Sequence, residues 1–383
     1  MPKRIAVIIE GRVAYERSVL LGIRDFTAGR PDWILRLELP GRQVRRFLKE
    51  WKPDGILFQA AGLTTASIEA IVGSRIPAIQ VSDSRHSVSA PSVGLDNRII
   101  GQVAAEYLSD RGFERFGFVG IKGIGFSRTR QEAFCAALGR QKQQANVINL
   151  PGTFAGLDLK TERQLRLWLK ELPKPCGLFA VHDECSIIVA TLAREEGIRV
   201  PEDVAILGSD DDSLMCELAW PQLSSIAVPA RQVGQVAAER LDAWLVAGRR
   251  ASLRRPVLLP PQGVVTRQST DVYRTGDEAV NRVLRYIGAE FHRRLNIESI
   301  AREIGMSRRL IERRFRQHLG RTPLEELHRR RIAYARHLLT STGDNLPMIA
   351  ERCGFTDASQ FVNVFKRQMG DTPGRFRRQA RRS

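Results

Sequence analysis

The sequence predicts an α/β domain built on a parallel sheet, followed by an all-α domain with two helix-turn-helix units. Short apolar runs alternate with amphipathic stretches through the first two thirds of the chain. Beyond them a motif occurs twice, as IAREIGMSRRLIERRFRQHLGRTP from residue 300 and as IAERCGFTDASQFVNVFKRQMGDTP from residue 349. At 383 residues, the chain is long enough for two or three domains.

Six apolar runs predict the strands of the α/β domain. They are RIAVIIE, DGILFQA, IPAIQVS, RFGFVGI, CGLFAVHD and VAILGSDD. The helices predicted after them cover residues 17–26, 65–72, 98–111, 130–142, 186–196 and 231–246. Continuous apolar strands that alternate with helices indicate a parallel sheet covered on both faces. Such sheets bind ligands beyond the carboxyl ends of their strands.

Polar and aromatic side chains gather at four of these strand ends. Carboxylates and Arg bind pairs of sugar hydroxyls, and aromatic faces cover the apolar side of a sugar ring, so the pattern favours a carbohydrate. An Asp or His after a strand is also an ordinary turn former or helix cap, so one such residue identifies no site. The candidates are Glu10, Tyr15, Arg17, Phe126, Arg130, His182, Asp183, Asp210 and Asp211.

The segment 255–278 is rich in Pro, Gly and Thr and ends the α/β pattern. We place the first domain at 1–270, the linker at 271–278 and the second domain at 279–383. Helices are predicted at 278–291 and 324–339, with helix-turn-helix units at about 297–318 and 346–368. In the first unit Gly305 permits the turn and Ser307 caps the second helix, and in the second unit Thr356 is the expected cap.

The second helix of each unit combines an apolar stripe with a polar face. Leu310, Ile311 and Phe315 form the first stripe, and Phe361 and Phe365 form the second. Arg makes bidentate contacts to guanine, Asn and Gln to adenine, and Glu accepts from cytosine. A solvated basic helix would explain the first copy alone, but not two copies with amide groups in the second. The predicted DNA-contacting residues are Ser307, Arg308, Arg309, Glu312, Arg313, Arg316, Ser359, Gln360, Asn363, Lys366 and Arg367.

Positive charge is concentrated in the same region. The formal net charge is +18, and residues 276–383 hold 23 Lys and Arg against 12 Asp and Glu. Neutralising phosphates releases counterions, so concentrated positive charge favours a polyanion. A charge run alone is often only a solvated surface. The duplicated motif favours double-stranded DNA as the partner.

Cysteine usage and hydropathy indicate the compartment. The five cysteines are odd in number and show no CxxC spacing, so we expect reduced thiols and no metal or cofactor. The apolar run at the start is too short for a secretory signal, and no stretch approaches the roughly 20 apolar residues of a membrane helix. We therefore expect a soluble bacterial cytoplasmic protein, associated with the nucleoid when bound to DNA.

The segment FAVHDECSIIVATLAREEGIRVPEDVAILGSDD from residue 179, followed by LSSIAVPARQVGQVAAERL from residue 223, resembles the effector domains of LacI/GalR repressors and periplasmic sugar-binding proteins. The resemblance implies a two-lobed periplasmic-binding-protein-like sensor in which Arg130, Asp183 and Asp210 hold a sugar. It also implies a ligand contact from Asp96, in VGLDN. Val228 stands where some of these proteins have an amide, which leaves the sugar's identity open.

The two copies of the motif and their GxTP endings resemble the AraC/XylS family over residues 280–378. In that family one long helix joins two such units, whose recognition helices enter successive major grooves about 34 Å apart. Ala358 offers no hydrogen bond to a base, so the second copy is expected to contact fewer bases. The order of sensor and DNA-binding domain resembles regulators of the xylose-operon activator type.

The combined expectation is an activator of carbohydrate-utilisation genes that is controlled by a sugar such as xylose or a related pentose. A homodimer is expected, with RNA polymerase as a further partner. Three alternatives stay open: a DNA-binding regulator or architectural protein that responds to a non-sugar ligand or to none, an exported transport component, and an enzyme. The enzyme would use the acidic residues 210–212 to hold Mg²⁺ with phosphate.

Overall fold

The strands of the α/β domain are defined first because they position the candidate site. A computed structural model describes residues 2–82, 90–151, 157–247, 256–342 and 344–382. In chain order the strands are β1 (Lys3–Ile8), β2 (Trp33–Glu38), β3 (Gly55–Phe58), β4 (Ala78–Val81), β5 (Ser92–Leu95), β6 (Phe116–Ile121), β7 (Ala145–Leu150), β8 (Cys176–Ala180), β9 (Val204–Asp210), β10 (Ser224–Ala227), β11 (Val257–Leu259) and β12 (Gly263–Val265).

These strands form two six-stranded sheets, which confirms the predicted two-lobed α/β fold. The first sheet has the order β11-β5-β4-β3-β1-β2, and the second has the order β12-β10-β9-β8-β6-β7. All neighbouring strands are parallel except β10 and β12. The chain enters the second sheet after β5, and β11 and β12 again belong to different sheets, so several segments connect the two lobes.

Helices cover the faces of both sheets. They are α1 (Ala14–Thr27), α2 (Val44–Trp51), α3 (Thr65–Gly73), α4 (Asn97–Ser109), α5 (Gly125–Arg140), α6 (Leu159–Glu171), α7 (Asp183–Glu195), α8 (Ser213–Leu218) and α9 (Ala230–Ala247). Helices α1 and α9 approach closely because Gly22 on α1 faces the backbone of α9, and Gly234 on α9 faces the backbone of α1. A Cβ on Gly22 would lie 1.8 Å from the Arg231 carbonyl oxygen, so only glycine fits there.

The C-terminal domain is helical throughout its described residues. Its helices are α10 (Glu278–Glu290), α11 (Ile297–Ile304), α12 (Arg308–Leu319), α13 (Pro323–Ser341), α14 (Leu346–Arg352), α15 (Ala358–Met369) and α16 (Pro373–Arg382). Two apolar cores form, one around Phe315 and one around Phe365. Helix α13 contributes Leu327 to the first core and Leu339 to the second, so it joins the two helix-turn-helix units rigidly.

The turns of the two units differ in detail from the expectation. Gly305 is left-handed, at φ 72°, and the Ser307 hydroxyl accepts from the Leu310 amide. In the second unit the cap is Asp357, whose carboxylate accepts from the Gln360 amide, so the prediction of Thr356 was wrong. The Asp357 carboxylate can accept from the free amides at the start of α15, and its negative charge complements the helix dipole there.

Two predicted properties of the whole chain can be compared with the structure. None of the helices in the described ranges has the length and apolar character that a membrane crossing requires. All five cysteines are free thiols, and four of them are buried.

Candidate functional site

A cavity of about 180 Å³ lies between the two lobes, at the carboxyl ends of the central strands. Six of the ten residues predicted to contact a ligand line it. They are Tyr15, Phe126, Arg130, His182, Asp183 and Asp210. These residues come from β9 and from the segments that follow β1, β6 and β8, so the parallel topology gathers residues that lie far apart in the sequence.

Two arginines, Arg12 and Arg130, line the cavity, and Arg130 is the buried one, at only 3% exposed. Its Nε donates to Asn97 Oδ1 at 2.9 Å, and Nη1 donates to the Val181 carbonyl. Its Nη2 lies 3.8 Å from Asp210 Oδ1, and the Phe126 ring centroid is 5.2 Å from the guanidinium carbon. Burial lowers the pKa of Arg130, and the neighbouring carboxylates oppose that shift. The guanidinium is thus held in one orientation beside the carboxylates.

Two carboxyl groups face this cation. Asp183 Oδ1 accepts from the Ser225 hydroxyl at 2.6 Å, and Oδ2 accepts from the Asp212 amide at 2.8 Å. Burial and the charge of Asp210 raise the pKa of Asp183. Burial raises the pKa of Asp210 to about 6, although Arg130 pulls it down. Hydroxyl donors from a ligand would favour the ionised carboxylates and relieve part of this desolvation.

His182 and Tyr15 offer neutral polar groups. The His182 ring accepts from the Cys185 amide at Nδ1, 3.1 Å away, and thereby caps α7. Burial lowers the pKa of His182 to about 3, so the ring is neutral and its proton sits on Nε2. Burial also raises the pKa of Tyr15, which keeps its hydroxyl protonated as a donor. Around Arg130 the cavity therefore brings together two carboxyl groups and two neutral donors, a set suited to a polyhydroxyl ligand, and Arg12, Glu16, Glu184 and Asp212 also line it.

Four predicted ligand residues lie outside the cavity lining. The Asp96 carboxylate caps α4 by accepting from the amides of residues 98 and 99, so the implied ligand contact is corrected to a structural cap. Asp211 instead pairs with Arg267, at 2.9 Å. Arg17 and Glu10 are exposed; Arg17 lies 3.4 Å from Asp212, and Glu10 lies 3.9 Å from Arg12.

Sequence reasoning missed several lining residues. Asn97 follows Asp96 directly, lines the cavity and accepts a hydrogen bond from Arg130, so the cavity lining includes the residue next to the predicted one. Gln59 ends the DGILFQA run and carried the same strand-end signal as the residues that were chosen. Met215 lies on α8, a helix that is too short to be predicted from apolar periodicity.

The second helices of the two helix-turn-helix units are α12 and α15. On α12 the side chains of Ser307, Arg309, Arg313 and Arg316 are exposed. Arg308 was predicted to contact DNA; in the structure it donates to Glu312 at 2.9 Å and to Glu298 at 2.6 Å. Arg314 pairs with Asp277 at 2.8 Å. Within the described part of the chain, Arg309, Arg313 and Arg316 form no ion pair and can therefore reach DNA without breaking one.

Helix α15 presents a less charged surface. Ser359, Asn363, Lys366 and Arg367 are exposed, as a DNA-contacting face requires. Gln360 is half-buried, and its Oε1 accepts from the Thr356 amide at 3.0 Å. Because that contact holds the amide oxygen at the helix start, Gln360 is less available to a base than Asn363.

Comparisons with known proteins match the two parts of the chain to different families. Residues 105–270 match the family described as periplasmic binding protein-like domain, and residues 300–379 match a helix-turn-helix domain. A structure described as the xylose-binding transcription activator xylR is 27% identical, with a TM-score of 0.62 and 98% of both chains covered. A CelR–cellobiose complex, 20% identical with a TM-score of 0.61, covers 70% of this chain and 84% of its own and shares the α/β fold.

Fold, cavity and exposed basic helices together define a DNA-binding transcription regulator with a ligand-sensing domain. Two similar full-length proteins carry the same name. The xylose operon regulatory protein of Escherichia coli K12 is 30% identical over 98% of this chain and 96% of its own, and that of Haemophilus influenzae is 27% identical over 98% of both. The chain belongs to the family of xylose operon regulatory proteins.

Proposed function

We propose that a pentose such as xylose binds the interlobe cavity and controls the affinity of the chain for operator DNA. The observation that carries the proposal is the meeting of Arg130, Asp183 and Asp210 in one buried cavity, where hydroxyl groups can donate to the carboxylates and accept from the guanidinium. The names of the full-length relatives, which refer to xylose, support the choice of sugar.

The size of the cavity supports a monosaccharide. Its volume of about 180 Å³ lies below the range of about 300–1,000 Å³ that drug-sized ligands occupy. A disaccharide would need the lobes to separate further. The aromatic rings of Tyr15 and Phe126 provide the apolar wall on which a sugar ring packs.

On the DNA side, α12 and α15 would enter successive major grooves, with Arg309 and Arg313 contacting base edges or phosphates. We further propose that the chain works as a homodimer in the cytoplasm, that it activates transcription of sugar-utilisation genes, and that it contacts RNA polymerase at those promoters. The relatives named as activators support this direction of control.

We also propose that the chain is not an enzyme. The three consecutive acids each have a separate structural contact: Asp210 faces Arg130, Asp211 pairs with Arg267, and the Asp212 carboxylate caps α8 by accepting from the Met215 amide. Each acid is thus held by a different partner, and the described residues contain no group of three or more His, Cys, Asp or Glu that could hold a metal ion such as Mg²⁺.

The test is titration calorimetry of the full chain against a panel of pentoses and hexoses, followed by operator footprinting with and without the sugar that binds. We expect xylose or a close relative to bind and to change protection of the operator. Arg130→Gln should abolish binding, and Asp96→Asn should leave it unchanged because residue 96 lies outside the cavity. Identical protection with every sugar would refute control by a sugar.

A further inference from the structure

The α/β domain and the DNA-binding domain meet along α13. An open cleft of about 930 Å³ lies between α13 and the surface formed by α4 and β12. Among the residues that the structure describes, one ion pair crosses this boundary, from Arg329 Nη1 on α13 to Asp110 Oδ2 just after α4, at 2.5 Å. Because α13 joins both helix-turn-helix units, a force on Arg329 acts on both of them.

On the DNA-binding side Arg329 is held firmly. Glu326 is 0% exposed and accepts from Arg329 Nε at 2.9 Å and from Arg329 Nη2 at 3.1 Å. The same carboxylate also accepts from Arg321 and Arg330. A fully buried carboxylate that is shared by three guanidinium groups cannot release one of them without cost, so Arg329 moves together with α13.

On the sensor side Asp110 is adjacent to an equally buried group. Arg111 is 1% exposed, lies 3.4 Å from the Tyr107 ring centroid, and donates from Nε to the Thr270 carbonyl at 2.9 Å. The Tyr107 hydroxyl is 2.7 Å from Thr270 Oγ1. The end of α4 is therefore tied to the segment 266–270, which leads to the linker.

Two connections run from this place to the sugar cavity. The first is the segment 266–270 itself, where Arg267 pairs with Asp211 at 2.9 Å. The Asp211 amide donates to the Ser225 hydroxyl at 3.0 Å, and that hydroxyl donates to the cavity residue Asp183 at 2.6 Å. A change in the position of Asp183 thus reaches Arg267 through polar contacts of ordinary length.

The second connection is α4. Its first residue, Asn97, lines the cavity and accepts from Arg130, and its last turn precedes Asp110. Thirteen residues of α-helix span about 20 Å and move as a rigid body. Gly101 allows α4 to pack directly against the backbone of α5, since a Cβ at this position would lie 2.4 Å from the Arg130 carbonyl oxygen.

We propose that the Asp110–Arg329 ion pair is the joint that passes sugar occupancy from the cavity to the DNA-binding domain, an inference that rests on the proposed function. Both connections end at residues 110 and 111. From Asp110 the ion pair with Arg329 then provides a direct side-chain contact to α13. A sugar that binds one arrangement of the lobes more tightly shifts the position of Asp110. The ion pair converts that shift into a preference between two placements of α13.

The test is a double-mutant cycle on the full chain with Asp110→Asn, Arg329→Gln and the double variant. The quantity measured is the ratio of operator dissociation constants without and with saturating xylose, by fluorescence anisotropy. Each single variant should reduce that ratio by about two- to fivefold, the factor that a partly exposed ion pair supplies. The double variant should reduce it no further, and xylose affinity without DNA should stay within about twofold of the parent.

Asp25→Asn is the matched control. The Asp25 side chain is 30% exposed, against 32% for Asp110, and it also pairs with arginines, but both of its partners lie within the α/β domain. It should leave the ratio unchanged. Asp110→Glu keeps the carboxylate and leaves the Glu326 contacts of Arg329 in place, so it should retain most of the coupling, which separates loss of the pair from loss of folding. Thermal unfolding of each variant checks that both domains are intact.

The possible failures differ. If the single variants keep the parent's ratio, or if the double variant loses the product of the two single losses, the joint is refuted while sugar control stands. If xylose and the other pentoses bind the parent but leave its operator affinity unchanged, or if none of them binds, the proposed function and the joint are both refuted.

Discussion

Replacing Asp210 by Asn should stabilise the chain and weaken sugar binding at the same time. Burial raises the pKa of Asp210 to about 6 from an ordinary value of 3.8. A difference of about two units corresponds to about 3 kcal/mol of unfolding free energy lost when the carboxyl group is ionised at neutral pH. That figure already contains the attraction to Arg130, and Asn replaces a neutral carboxyl group only imperfectly, so we expect a net gain of about 1–3 kcal/mol at pH 7.5. Asn suits the backbone, because φ of Asp210 is 114° and Asn tolerates positive φ better than most residues.

The sign of the pH dependence follows from the direction of the shift. The folded-state pKa lies above the unfolded one, so the unfolded chain ionises this carboxyl group first, and the destabilisation grows from about pH 4 until the native group is also ionised above about pH 6. The advantage of Asp210→Asn should therefore be complete above about pH 6, shrink as the pH falls, and vanish below about pH 4.

Denaturant unfolding followed by tryptophan fluorescence measures this gain in the α/β domain, because all five Trp residues precede residue 250. Calorimetry of the same variant should show sugar affinity weakened about 10- to 150-fold, the cost of losing a hydrogen bond to a charged group. Asp96→Asn, a cap of equal strength outside the cavity, should change neither property. A variant that is less stable than the parent at pH 7.5, or a gain that is independent of pH, would refute the reasoning.

Three further predictions concern the cavity, the DNA-binding helices and their support. Sugar hydroxyls favour the ionised form of Asp210, so calorimetry from pH 8 to pH 5 should show affinity falling below about pH 6, and a flat profile would contradict this. Arg309→Ala should lower operator affinity by about 1–3 kcal/mol in anisotropy titrations. Arg308→Ala should lower it less because two glutamates already hold Arg308, and equal losses of operator affinity in the two variants would contradict this prediction. Gly101→Ala should lower the thermal midpoint and sugar affinity because its Cβ would lie 2.4 Å from the α5 backbone, whereas Gly139→Ala, with open space around it, should lower neither.

Much of the α/β fold could be predicted because most of the buried strands are continuous apolar runs; β10, whose sequence is SSIA, is buried but begins with two serines and was not predicted. β3 and β8 are buried along their whole length and were recognised in GILF and CGLFA. β2 and β7 are edge strands with partly exposed residues, as in WILRLE and ANVINL, so no apolar run marked them. Edge strands pair on one side only, and their pattern depends on a neighbour that the local sequence does not reveal.

The same limit applies to the site. Arg130, Asp183 and Asp210 were predicted from local patterns and meet in one cavity. Asp96 and Asn97 could not be separated in that way, because both follow β5 and both are polar. Which of the two caps the helix and which faces the cavity depends on the direction in which α4 leaves the sheet.

The sequence by itself determined the order of the two domains, the family, and the duplicated helix-turn-helix, because each rests on contacts within short segments or on a repeat that can be read directly. The tertiary structure alone decided which acids face the cavity, that Arg308 is held by glutamates, and that Asp110 meets Arg329 on α13. These are contacts between side chains distant in the sequence, and their partners are set by how helices and sheets pack in space.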